Sequence, residues 1–84
     1  MQLDDEVARI DPRTNRVVKR IRVGREPSAV AVGDDAVWVA NTIDRTVTKI
    51  DPATNRVTAT IPLRTSPLEL AVDGGSVWVA TDAS

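Results

Sequence analysis

Few side chains in this sequence are equipped for chemistry. Its 84 residues include no His, no Cys and no Tyr. The usual general base, the thiolate nucleophile and the phenolic acid are therefore missing, as are the two commonest zinc ligands. Ser28, Ser66 and Ser76 have no partner base at any recognisable spacing. Gly24-Arg25-Glu26-Pro27-Ser28 lacks the glycines of a phosphate-binding loop. The adjacent pairs Asp4-Asp5 and Asp34-Asp35 are poor candidates for paired catalytic carboxylates. Neighbours in an extended chain point to opposite sides, and the second pair falls in an expected hairpin turn. Asp11, Asn15, Asp51 and Asn55 offer oxygens that a cation could use. Turn chemistry already accounts for all four, and no acidic cluster completes a site. No catalytic residue, cofactor site or metal site is predicted, and the chain is read as not an enzyme.

Two further groups have a binding reading and a bland one. Trp38 and Trp78 could stack on a ligand, but each lies between valines in an apolar strand, so core packing is predicted. Arg13, Arg16, Lys19, Arg20, Arg22 and Arg25 form a basic run. An anionic polymer could use it, or it could simply guard a sheet edge against aggregation. Its counterparts 40 residues on are Ala53, Arg56, Ala59, Thr60, Pro62 and Thr65, so only one copy is basic. No aromatic residues interleave for base stacking, and the formal net charge is -1. The run is read as a charged rim, with neither nucleic acid nor membrane as partner. No apolar run approaches transmembrane length and no signal peptide opens the chain. The compartment stays open.

The elements that carry these residues come from an internal repeat. Val37-Trp38-Val39-Ala40 recurs as Val77-Trp78-Val79-Ala80. Ile10-Asp11-Pro12 recurs at Ile50-Asp51-Pro52, Thr14-Asn15-Arg16-Val17 at Thr54-Asn55-Arg56-Val57, and Pro27 at Pro67. A period of 40 residues built of short Val-rich runs is the sign of a β-propeller blade. Four strands are expected per repeat. Ala29 to Val32 and Val37 to Ala40 are apolar throughout, and both strands, the second running on to Asn41, are predicted to be buried on both faces. Thr46 to Ile50 precedes an Asp-Pro-x-Thr-Asn turn, with Pro at its first corner and Asn in the left-handed conformation. Arg56 to Leu63 contains Pro62 and reads as the rim strand. Gly33-Asp34-Asp35-Ala36 and Asp73-Gly74-Gly75-Ser76 read as tight hairpins, with Gly and Asp supplying positive φ.

The phase of the repeat matters more than its presence. Residues 1–23 hold the third and fourth strands of a blade, 24–63 a complete blade, and 64–84 the first and second strands of another. Met1 to Asp4 align with Asn41 to Asp44 and with Thr81 to Ser84. The two halves are complementary but lie on opposite sides of the complete blade. The fold class expected is all-β: a propeller of four-stranded antiparallel blades, two per chain, closed by oligomerisation. Propellers have about 4–8 blades. A trimer with six blades is the first expectation for the homo-oligomer and a tetramer with eight the next.

The segments Val-Trp-Val-Ala-Asn, Ile-Asp-Pro-Ala-Thr-Asn-Arg-Val and Pro-Ser-Ala-Val-Ala-Val resemble the repeats of YVTN-type β-propellers. These are similar to NHL propellers and to the propeller of virginiamycin B lyase. Likeness to the lyase would imply a metal-dependent activity with a catalytic His, and the chain has no His to carry it. Members of such families usually hold six or seven blades in one polypeptide, so an engineered or excised fragment that assembles its ring from several copies is expected. The leading function is thus a structural, self-assembling propeller unit. The alternative is a binding or scaffold module for a small ligand or protein partner. In a propeller, the loops between blades share one face with those joining second to third strands. That face would present Arg25, Glu26, Asn41, Asp44, Arg45 and Arg64, with Glu69 near the channel, all expected to be polar and exposed.

Overall fold

The computed structural model describes residues 5–33 and 35–82. Eight strands account for most of them: β1 (Glu6–Asp11), β2 (Arg16–Arg22), β3 (Pro27–Val32), β4 (Val37–Asn41), β5 (Thr46–Asp51), β6 (Arg56–Pro62), β7 (Ser66–Asp73) and β8 (Ser76–Asp82). They form three antiparallel sheets: β1-β2, then β3-β4-β5-β6, then β7-β8. The whole is a slab of 42 × 40 × 20 Å. The expected overlap of Met1 to Asp4 with Ala83-Ser84, and the carboxylates of Asp4 and Asp34, lie outside the described residues.

The turns form for the reasons their residues suggest. Asp11 Oδ1 accepts from the Arg13 N–H at 2.9 Å, and Asp51 Oδ1 accepts from the Ala53 N–H at 2.9 Å. Asn15 and Asn55 both have φ of 59° and donate their N–H groups to the carbonyls of Asp11 and Asp51, each at 2.7 Å. Asn is among the few residues that enter the left-handed region at low cost. At the Asp73–Ser76 hairpin Gly74 and Gly75 have φ of 55° and 85°, the mirror-image turn that matches strand twist. The other hairpin differs from expectation. Gly33 is not left-handed there; it donates its N–H to the Ala36 carbonyl at 2.8 Å, and a Cβ on it would lie 3.1 Å from Val72 Cγ1. It is small because the next sheet approaches it.

Register repeats as the sequence does. Val7 pairs with Ile21 and Ile10 with Val17; Val47 pairs with Ile61 and Ile50 with Val57. The bulge between Arg9 and Ile10 recurs between Lys49 and Ile50. Likewise Val30 pairs with Val39 and Leu70 with Val79, with a bulge after Pro27 matched by one after Pro67. Both two-stranded sheets thus copy halves of the four-stranded one. β6, which ends at Pro62, is the sheet's edge, where a residue lacking an N–H can be accommodated.

The core lies between the first sheet and the four-stranded one. Ile21, Val39 and Ile50 form it, with Val7, Val23 and Val37 packed around them. The third sheet covers the other side of β3 to β5, where Pro67 is fully buried. The expectation that both inner strands are buried on both faces is corrected here. β4 is buried or half-buried along its length, but β3 alternates, with Val30 and Val32 exposed, and Trp78 on β8 is 64% exposed. Val30 and Val32 line an open cleft against β1 and β2, and among the described residues no strand covers Trp78.

Candidate functional site

The loops at one end of the sheets bring the candidate face together around Gly24. It follows β2, and a Cβ on it would stand 2.8 Å from Asn41 Cβ, Asn41 Cγ and Asp44 Oδ2. Only a glycine lets the first connecting loop close down on the turn between β4 and β5. The Arg25 N–H then donates to Asp44 Oδ2 at 2.9 Å, and the Arg25 guanidinium lies 3.5 Å from Asp44 Oδ1. Glu26 has φ of 55°. For a residue with a Cβ that conformation costs on the order of 1–2 kcal/mol. Two hydrogen bonds help to hold it: its N–H donates to Asp5 Oδ2, and its carbonyl accepts from the Thr42 N–H at 2.9 Å. Arg45 is also left-handed, with φ of 57°, and its carbonyl accepts from the Leu63 N–H at 2.8 Å.

Asn41 is not on the exposed face, contrary to expectation. It is fully buried, because it ends the central strand and lies beneath Gly24. Its Nδ2 donates to Thr48 Oγ1 at 2.8 Å and Thr46 Oγ1 at 3.2 Å, while Oδ1 has no partner among the described residues. Arg64 and Glu69 are exposed but do not join the cluster. Arg64 lies in the loop after β6, and Glu69 stands on β7 opposite Ala80. Of the seven candidates, then, Arg25, Glu26, Asn41 and Asp44 form one cluster, Arg45 borders it, and two stand apart.

What this cluster does chemically is fasten one sheet to another. Its donors and acceptors are largely turned on each other rather than outward. Two more fastenings do the same work, and neither is evident from the sequence. Arg9 Nη1 donates from β1 to the Pro52 carbonyl at 2.7 Å and to Asn55 Oδ1 at 2.8 Å. Ser28 and Thr42 share a hydroxyl hydrogen bond of 2.7 Å, and Thr42 Oγ1 donates to the Pro67 carbonyl at 3.0 Å. The partners lie 43 and 46 residues apart for Arg9 and 25 apart for Thr42. The one hint in the sequence is that Arg9 aligns with the cation Lys49.

The remaining candidates divide. Lys49 Nζ sits 5.2 Å from the centre of the Trp38 ring, within cation–π range, and Trp38 is half-buried. Trp78, expected in a core, is instead exposed, because the strand that carries that cation in the other copy has no counterpart beside β8. The basic side chains of β2 lie in the open, with Arg20 Nη1 4.0 Å from Glu6 Oε1. Among the described residues no three acidic side chains gather as a metal would require, and no helix is long and apolar enough to cross a membrane.

Comparison with known proteins agrees with this geometry. No curated protein matches the chain. Hydrazine synthase of Kuenenia stuttgartiensis has a similar structure, with a TM-score of 0.86 at 22% sequence identity. The match covers 93% of this chain but only 23% of that one, and at this identity it speaks for the fold alone. The family model of the YNCE-like β-propellers matches residues 1–84 in full. With its repeated hairpins, its four-stranded antiparallel sheet and that match along its whole length, the chain belongs to the YNCE-like β-propeller family.

Proposed function

We propose that this chain is a structural, self-assembling propeller unit. It contributes two blades' worth of strands and completes a blade with each neighbouring copy, closing a ring without catalysing a reaction. One observation carries the reading: Ala40, Thr48 and Ile50, buried in the four-stranded sheet, have exposed counterparts one repeat away in the two-stranded ones, Ala80, Ala8 and Ile10. Ile50 is 2% exposed and Ile10 is 57% exposed. Exposed apolar sheet faces beside unpaired strand edges are sites of association. The sheets on either side of the complete one hold complementary halves, so the contact is head to tail and closes when the rotation fits. Three chains with six blades are favoured, and four with eight come next. The absence of His, Cys and Tyr supports a role without catalysis.

Light scattering after size exclusion tests this directly. A mass three or four times that of the 9.1 kDa chain is expected. A well-folded monomer at micromolar concentration would sink the proposal.

A further inference from the structure

The repeat fixes more than the existence of an interface. The four-stranded sheet contains three strand pairings. Two of them, β5 with β6 and β3 with β4, are reproduced 40 residues away by β1 with β2 and β7 with β8, bulges included. The third, β4 with β5, occurs once. There Val37 faces Ile50, Trp38 faces Lys49, Val39 faces Thr48, Ala40 faces Val47 and Asn41 faces Thr46. Its counterpart would join β8 to β1, which are not paired within the chain.

The surroundings of Trp38 supply the rest. Together with Val72 and Val77 of the next sheet, Trp38 lines a cleft at the end of β3, and Lys49 lies over its ring. Subtracting one repeat from Val72 and Val77 gives Val32 and Val37, and from Lys49 gives Arg9. Those three residues line one open, largely apolar cleft of about 330 Å³ between β1-β2 and the four-stranded sheet. Val32 is 73% exposed there, whereas Val72 is half-buried. Arg9 is already held in place by its hydrogen bonds to Pro52 and Asn55. The cleft lacks an indole, and the chain has an exposed indole, Trp78, at the matching repeat position.

We propose that β8 of one copy adds antiparallel to β1 of the next, with Val77 opposite Ile10, Trp78 opposite Arg9 and Val79 opposite Ala8, seating Trp78 in the cleft formed by Arg9, Val32 and Val37 of the partner subunit. This rests on the ring reading above and adds its register and its anchor. Arg9, pinned by its own chain, offers its guanidinium to the incoming ring, as Lys49 does to Trp38. Register is tightly specified because a slip of one residue would turn Trp78 to the other face of the sheet. An indole seated in an apolar cleft beside a cation is the kind of anchor that dominates an interface.

The chain lacks cysteine, so introduced thiols report unambiguously. Directly opposed residues in an antiparallel pair have Cα atoms roughly 4.5–5.5 Å apart, within reach of a disulfide. Copies carrying only Ala8→Cys, mixed with copies carrying only Val79→Cys, should give a mixed covalent dimer on mild oxidation. Pairing Ala8→Cys with Ala80→Cys, one residue out of register, should not. Trp78→Ala should raise the concentration at which the oligomer dissociates by at least about tenfold. Light scattering on the reduced variants separates the two levels of failure. An oligomer that links equally well through the shifted pair, or through neither, overturns the register and leaves the ring reading standing. An oligomer unaffected by Trp78→Ala overturns the anchor. A monomer overturns the ring reading and this inference with it.

Discussion

The two copies of Val-Trp-Val-Ala invite comparison, because they differ in surroundings and hardly at all in sequence. On β4, Val39 and Ala40 are completely buried, and Trp38 lies between a neighbouring sheet and Lys49. On β8, Val79 is half-buried, Ala80 is exposed and Trp78 stands open. Strand propensity and register are shared. The difference is the presence of a third strand on the far edge and of a sheet on the outer face. Burial in this fold belongs to the neighbours of a segment more than to the segment. One copy stabilises the chain, and the other, if the ring forms as proposed, stabilises the assembly.

That contrast can be tested at several strengths. The largest effect is expected from removing residues 1–20, which leaves β8 with no complementary strands in another copy. Oligomer formation should be lost by light scattering; an unchanged mass would mean the interface lies elsewhere. The thermal midpoint of the intact chain should also rise with protein concentration, as for any fold stabilised by association.

Next comes the valine pair. Val39→Ala removes fully buried methyl groups and should cost roughly 2 kcal/mol in urea unfolding wherever it is measured. Val79→Ala should cost much less at concentrations where the chain is monomeric and approach the same value where it is assembled. Equal costs at both dilutions would erase the distinction between the two copies.

Gly24→Ala probes the fastening between sheets. Its Cβ would press on Asn41 and Asp44 Oδ2, so a loss of about 1–3 kcal/mol is expected. The counterpart Arg64→Ala should be near neutral, because that position already carries an exposed side chain. A neutral Gly24→Ala would show that the loop can move aside.

The smallest difference is expected at the two turns. Asn15→Ala and Asn55→Ala both place alanine at a φ of 59°, at roughly 1 kcal/mol each. Asn55→Ala also takes an acceptor from Arg9, adding up to about 1 kcal/mol at this exposed site. Urea midpoints for the two variants, compared side by side, measure what that contact between sheets contributes.

Much of the fold is legible in the residues alone. The Asp-Pro-x-Thr-Asn turns, the Gly-Gly hairpin and Pro62 at an edge all follow from local stereochemistry. The candidate face is only half legible. Arg25 and Asp44 follow from their loops, but Asn41 reads as a surface residue, since polarity at a strand end ordinarily signals exposure. Glu26 and Arg45 give no sign of their left-handed backbone, because neither residue type favours it and the hydrogen bonds that hold it come from elsewhere in the chain. Gly33 reads as a turn residue and has a packing role instead.

The repeat, its period and the strand order are all set locally. They depend on residues close together in the chain, whose preferences act before any tertiary contact forms. Which of two equivalent positions is covered is settled only by packing. Packing sets Ile50 in a core and leaves Ile10 open, buries Asn41 under Gly24, and turns Arg9 toward the Pro52 carbonyl. The physical reason is that coverage comes from strands at least one repeat away, and the side chain being covered does not encode whether they are there.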